Sequence, residues 1–196
     1  MKIKYLFLII CFFCLNAAAK ENLNLKEKVY FAKCIDGDTA SFTINGITKT
    51  VRFLAIDTKE IKSDDTKTKK YANKAKEYTC NKIKKAKEIV LEYDINSARV
   101  DKYNRVLAFV FIDGKLLQKE LIKEGLAKVE YIYGNYKYLD ELRKEEKNAK
   151  EKRIGIWSDS SIIDVIEDKY NDINKLLQAT KKLYQYLKKI FTLISK

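Results

Sequence analysis

Residues 36–57 read DGDTASFTINGITKTVRFLAID, and the fold turns on how this stretch is read. Thr39 to Ile44 and Thr48 to Ile56 read as strands, and between them Asn45-Gly46 supplies two residues that tolerate positive φ. Such a pair is a strong signal for a two-residue hairpin turn. Just upstream, Val29 to Asp36 reads as a third strand. Three strands in succession around a tight hairpin favour an antiparallel meander. Gly37 permits a sharp bend between Asp36 and Asp38, so both carboxylates can point toward one end of the sheet.

Asp57 ends the VRFLAI strand about twenty residues later, followed by Thr58 and Glu60. If the hairpin pairs these strands, Asp38 and Asp57 lie at neighbouring strand ends. Converging carboxylates with no imidazole or thiolate beside them suit Ca²⁺ or Mg²⁺. The plainer reading makes DGD a turn and Asp57 a cap. Arg52 favours the metal site. It interrupts an apolar strand, and alternation turns it away from Val51 and Phe53. A half-buried guanidinium is costly without anions, so Arg52 is expected to face the acidic cluster or an anionic ligand. A second polar turn, DKYNR at 101–105, precedes another apolar strand and could deliver Arg105 to the same place. Two guanidiniums beside a carboxylate cluster make chemical sense of a phosphodiester site.

Further along, Lys59 to Thr68 reads as an exposed loop and Tyr71 to Ile83 as a helix. Ile89 to Tyr93 and Val106 to Ile112 read as strands, then a short helix around Leu116 to Glu124 is stopped by Gly125. Tyr136 to Arg153 is a charged helix. The order, β-rich early and helical late, predicts an α+β fold in which a small barrel carries packed helices.

Composition narrows the chemistry. The 196 residues include 40 Lys+Arg, 27 Asp+Glu and no histidine, for a net charge of +13. Without histidine there is no Ser-His-Asp or Cys-His catalysis and no imidazole acid or base. The positive surplus suits a polyanion, either nucleic acid or an anionic membrane surface, and also suits a merely solvated lysine-rich face. Residues 1–19 combine MKIK, an apolar run from Tyr5 to Leu15 and an A-x-A site, which reads as a signal peptide. An uncleaved anchor is the alternative. Cleavage after Ala19 would remove Lys2 and Lys4 and lower the charge from +13 to +11. The expected address is export, to the periplasm or the medium, where Cys34 and Cys80 could pair or could remain core residues.

The series IDGDT, VRFLAIDTKE, DKYNR, LAFVFIDGK, EGLAKVEYIY and GIW, in that order, resembles the staphylococcal nuclease family. The resemblance covers roughly Val29 to Trp157. It implies a five-stranded OB-fold barrel with three packed helices and a Ca²⁺-dependent phosphodiesterase acting on DNA and RNA. Cleavage of the 5′ P–O bond, leaving 3′-phosphorylated products, is likewise implied by the family alone. By motif, Asp38, Asp57 and the backbone carbonyl of Thr58 would bind Ca²⁺, with Asp36 one step removed. Glu60 would orient or deprotonate the attacking water, and Arg52 and Arg105 would hold the phosphate. Lys102, Tyr103, Tyr131 and Tyr133 match nucleotide-contacting positions; Tyr131 and Tyr133 are expected on one strand face. Two departures stand out. Lys59 replaces the proline of the usual Thr-Pro-Glu, and Asn104 replaces a common glycine. The rival reading is a catalytically empty binding module, but both arginines, Glu60 and both metal aspartates are present.

The expected organisation is a signal peptide (1–19), a polar lead-in (20–28), a nuclease-like domain (29–157) and an amphipathic helical extension (158–196). In the extension, apolar residues recur at 4-3-4-3 spacing from Ile166 to Ile194, broken only by Thr180. Such a helix could pack on the nuclease body, self-associate or touch a membrane, and a surface-attached role for the tail is a further alternative.

Overall fold

The computed structural model describes residues 25–60, 64–158 and 162–194, with the backbone alone at 162–168 and 192–194. The expected signal peptide at 1–19 and most of the lead-in lie outside the described residues. The strands are β1 (Lys26–Cys34), β2 (Thr39–Ile44), β3 (Ile47–Phe53), β4 (Ile56–Thr58), β5 (Ile89–Glu92), β6 (Val106–Ile112), β7 (Lys115–Leu116) and β8 (Ala127–Val129). The helices are α1 (Thr66–Lys85), α2 (Leu117–Lys123), α3 (Leu139–Glu151) and α4 (Ile162–Ile194), with a 3₁₀ turn at Gly155–Trp157.

The meander forms as expected. β1 pairs antiparallel with β2, and β2 with β3, with Ile44 opposite Ile47 across the Asn45-Gly46 turn. Both turn residues have positive φ, 49° and 80°, the conformation that makes this pair a hairpin former. β5 adds antiparallel to β1, and β6 adds antiparallel to β5. Parallel pairing of β6 with β3, Val51 opposite Val106, then closes the sheet. The result is a five-stranded barrel with no open edge among those five strands, an OB-type α+β fold.

The barrel interior is filled by Phe42, Val51, Phe53, Leu91 and Phe109, and the helix layer adds Leu121 and Leu142. Gln118 is fully buried beside them, accepting from the Val110 amide and donating to the Ala108 carbonyl, both at 3.1 Å. A buried amide is tolerated there because two backbone groups of β6 satisfy it. At the end of β5, burial pushes the Glu92 carboxyl up. Hydrogen bonds from Lys137, Tyr138 and Lys26 outweigh that and hold it below the ordinary carboxylate range.

Several boundaries differ from the sequence reading. The first strand starts earlier and stops at Cys34, which leaves Asp36 in the loop. The strand expected to run from Thr48 to Ile56 breaks at Leu54-Ala55, where Ala55 has φ 62°, and Ile56–Thr58 re-forms as β4 paired with β8. α1 begins at Thr66 because Asp65 caps it, its carboxylate accepting from the Thr68 amide at 2.6 Å. Residues 66–68 are therefore helix instead of loop. α3 is shorter at both ends than the expected helix from Tyr136 to Arg153. Cys34 and Cys80 form a disulfide with Cα atoms 5.7 Å apart, tying the end of β1 to α1.

Candidate active site at the barrel mouth

Where β1, β2 and α1 meet, the chain leaves no room for a side chain at position 37. A Cβ there would lie 2.7 Å from that of Ala75 and 2.9 Å from the Thr58 methyl, so glycine is required. Thr79 donates its hydroxyl hydrogen to the Gly37 carbonyl at 2.6 Å, and the Gly37 amide donates to Asp36 at 2.8 Å. The loop carrying Asp36 and Asp38 is thereby fixed on α1.

Asp38 is 7% exposed and saturated with donors. One oxygen accepts from the Thr39 hydroxyl at 2.9 Å; the other accepts from the Thr58 amide at 2.9 Å and the Thr58 hydroxyl at 3.1 Å. That second oxygen also meets the Arg52 guanidinium at 3.2 Å. The other arm of Arg52 reaches Asp57 at 3.2 Å. Asp38 and Asp57 thus lie close together, bridged by one guanidinium whose side chain is only 11% exposed. Along β3, as alternation predicts, Val51 and Phe53 point into the core and Arg52 to the other side.

Charge in this pocket is unevenly balanced. Burial raises the pKa of Asp57, and the Asp38 charge adds to it, against partial relief from Arg52 and Lys128. Asp36 is raised too, first by burial and then by Asp38 and Glu60, with the Gly37 amide and Lys76 opposing. Buried Asp38 and half-buried Asp57 share one deeply placed arginine, and Asp36 adds a third carboxylate nearby, so the site gains from another positive charge. All the donors are hard oxygens, so the set fits a hard divalent cation. Among the described residues no group of three or more acidic, His or Cys side chains converges to hold an ion unaided. Two aspartates would therefore need the backbone carbonyl of Thr58 and water to complete a shell.

Arg105 has a separate setting. Asp101 accepts from the backbone amides of Tyr103 and Arg105, each at 2.9 Å, and its other oxygen takes both Nε and Nη2 of Arg105 at 2.7 Å. Asn104 makes the turn possible with φ 61°, as expected of an asparagine standing in for glycine. Because Val106 is aligned with Val51, the turn lies beside the Arg52 strand, but Arg105 is held by Asp101 and not by the Asp38–Asp57 pair.

The aromatic positions divide similarly. Tyr103 is exposed, with Lys102 and Arg105 over its ring at 5.0 and 5.4 Å. The Tyr131 ring sits 5.4 Å from the Arg52 guanidinium, and Tyr133 is 83% exposed. The expected shared strand face for Tyr131 and Tyr133 is wrong. β8 ends at Val129, and Tyr131 has φ 57°, which breaks the alternation of an extended chain. Glu60 is exposed, and its charge is felt at Asp36. Sequence reasoning missed Lys128, which pairs across from Asp57 in the β4–β8 ladder with Nζ 3.8 Å from its carboxylate. Three-residue strands show no periodicity, so no local signal marked it.

Comparison with known proteins gives the family. The family described as staphylococcal nuclease homologue matches residues 50–159. Endonuclease YncB of Bacillus subtilis is 41% identical over 151 residues, covering 76% of this chain and 71% of that protein. The SPbeta prophage-derived endonuclease YokF of the same organism is 41% identical over 132 residues, 67% of this chain but 44% of its own length. Thermonuclease of Staphylococcus hyicus is 32% identical over 136 residues, with coverage of 69% and 79%. The chain therefore spans less than half of YokF, while the shared segment makes up most of YncB and of the thermonuclease. With more than half of its length matched and a closed five-stranded barrel beneath the match, the chain belongs to the staphylococcal nuclease family of hydrolases.

Proposed function

We propose that the chain is an exported, Ca²⁺-dependent nuclease that hydrolyses DNA and RNA phosphodiesters to 3′-phosphorylated products. The observation that carries this reading is the Asp38–Arg52–Asp57 bridge at the barrel mouth, with Thr58 donating to Asp38. Asp38, Asp57 and the Thr58 carbonyl would hold the cation, with Asp36 acting through water. When bound, the ion supplies positive charge beside the phosphate and lowers the cost of the developing anion.

The chain's own residues do the remainder. Arg52 and Arg105 take the non-bridging oxygens of the phosphate, each giving up carboxylate contacts to do so. Their forks match two oxygens at once and are already oriented by Asp38, Asp57 and Asp101. Glu60 accepts a proton from the water as its oxygen bonds to phosphorus. The bond from phosphorus to the 5′ oxygen breaks on the opposite side, and the departing alkoxide takes a proton from solvent. Tyr103, Tyr131 and Tyr133 offer exposed rings for bases, with Lys102 along the backbone path. The domain carrying this chemistry is taken as 29–157. α4 and the segment joining it to the barrel contribute no residue to the reaction.

A 5′-labelled DNA strand and its RNA counterpart, digested with Ca²⁺ and analysed for end groups, test this reading. Fragments ending in 3′-phosphate are expected. Fragments ending in 3′-hydroxyl, or no cleavage of either strand, would overturn it.

A further inference from the structure

α4 presents an apolar seam that the barrel does not cover. Tyr170, Ile173, Leu177, Tyr184, Leu187 and Phe191 are 52–75% exposed and recur at alternating spacings of three and four, with Thr180 at the missing step. Leu176, Leu183 and Ile190 widen the seam on one flank and are just as exposed. Contact with the body includes the Lys147–Asp172 ion pair at 3.5 Å, exposed on both sides, which shields none of the seam. Monomeric proteins rarely show contiguous apolar patches beyond a few hundred Å². A helix about 50 Å long, at 1.5 Å per residue, has room for more than three heptads of partner.

We propose that this seam pairs antiparallel with α4 of a second copy of the chain. The charge pattern decides both the occupant and the direction. Asp164, Glu167, Asp168 and Asp172 occupy the first third of the helix with Lys169 alone among them, and Lys175, Lys181, Lys182, Lys188 and Lys189 the remainder, which holds no acid. A parallel pair would set acid beside acid and lysine beside lysine. An antiparallel pair sets the net-acidic third of each helix against the lysine-rich end of the other, so the two ends attract on balance. The helix dipole cannot account for the pattern, because its influence fades within the terminal turns, whereas Asp172 and Lys175 to Lys182 lie mid-helix. A lipid surface gives no reason for four acids on the same helix.

The seam also has a matching register. With Leu177 layered against Thr180 of the second copy, Tyr170 falls opposite Leu187 and Ile173 opposite Tyr184. Each layer then joins a residue of one seam row to a residue of the other, as antiparallel pairing needs. In the same register Leu176 comes beside Leu183 of the second copy, so the flank is covered as well. Thr180, the one polar seam residue, sits at the centre, where its small hydroxyl side chain meets leucine.

The test uses the full chain and is independent of the nuclease assignment. Sedimentation at high micromolar concentration should give twice the mass of one chain, and Leu177→Asp should give a single-chain mass while circular dichroism shows the barrel still folded. Direction is read from cysteine variants. Mixing Tyr170→Cys with Leu187→Cys under oxidising conditions should produce crosslinked dimers of one of each, well above the level from either variant alone. A single-chain mass for the unaltered protein would overturn the proposal, as would crosslinking of Tyr170→Cys to itself, the signature of a parallel pair. Co-sedimentation of single chains with equimolar phosphatidylcholine–phosphatidylglycerol vesicles would assign the seam to lipid instead.

Discussion

The barrel mouth and α4 solve opposite problems with similar material. At the mouth, charged groups are buried and each finds a partner within the fold: Arg52 between two aspartates, Asp38 among four donors, Arg105 on Asp101. On α4, apolar groups are exposed and find none within the fold described. Burying an unpaired charge costs several kcal/mol, so the ion pairs at the mouth form with the fold, before any ligand arrives. An exposed apolar seam costs less per residue and can wait for a second surface. On the proposed readings the difference separates a preorganised candidate site from a surface for assembly, and the two should respond to substitution independently.

The largest effect is expected at the mouth. Asp38→Ala should lower the Ca²⁺-supported cleavage rate by about 10²-fold or more, the scale seen when one preorganised electrostatic group is lost. Circular dichroism should show the barrel still folded. Cleavage at the unaltered rate would break the site's half of the comparison. Next come Arg52→Lys and Arg105→Lys, which keep the charge and lose the fork. If the guanidinium acts mainly on charge that develops in the transition state, as proposed, each should lower kcat by about 10²-fold with little change in KM. A change confined to KM would demote the arginines to ground-state binding.

Smaller effects test how the mouth is supported. Cys80→Ala removes the tie between β1 and α1 and should cost about 2–4 kcal/mol of stability in denaturant titration. Glu92 gives a pH signature away from the site. Its folded-state pKa is depressed, so its contribution is present above the ordinary carboxylate range and is lost as pH falls through the depressed value. Glu92→Gln should therefore lower stability near neutral pH by about 1–3 kcal/mol and flatten the acid limb of the stability profile. Smallest of all, removing residues 159–196 should leave cleavage of short DNA nearly unchanged.

How legible each region was follows from the range of its contacts. β2 and β6 have the bounds read from sequence because alternation and the Asn45-Gly46 turn are local signals. Arg52 could be placed for the same reason, being the polar residue at the wrong step of an apolar strand. β4 and β8 were not legible. Each has three residues, and β4 separates from β3 at Ala55, whose positive φ its residue type does not advertise. The Cys34–Cys80 tie was left open, because two cysteines 46 residues apart say nothing of the distance between them in space. The α4 periodicity was plain in the sequence, but whether the barrel covers it is a tertiary fact that no periodicity contains.

The most direct measurement of the central claim is the initial rate of DNA hydrolysis with Ca²⁺, with excess chelator, and with Ca²⁺ restored. If the carboxylates at the barrel mouth hold the ion that supports catalysis, activity should vanish in chelator and return in full. An equal rate in chelator would contradict the account.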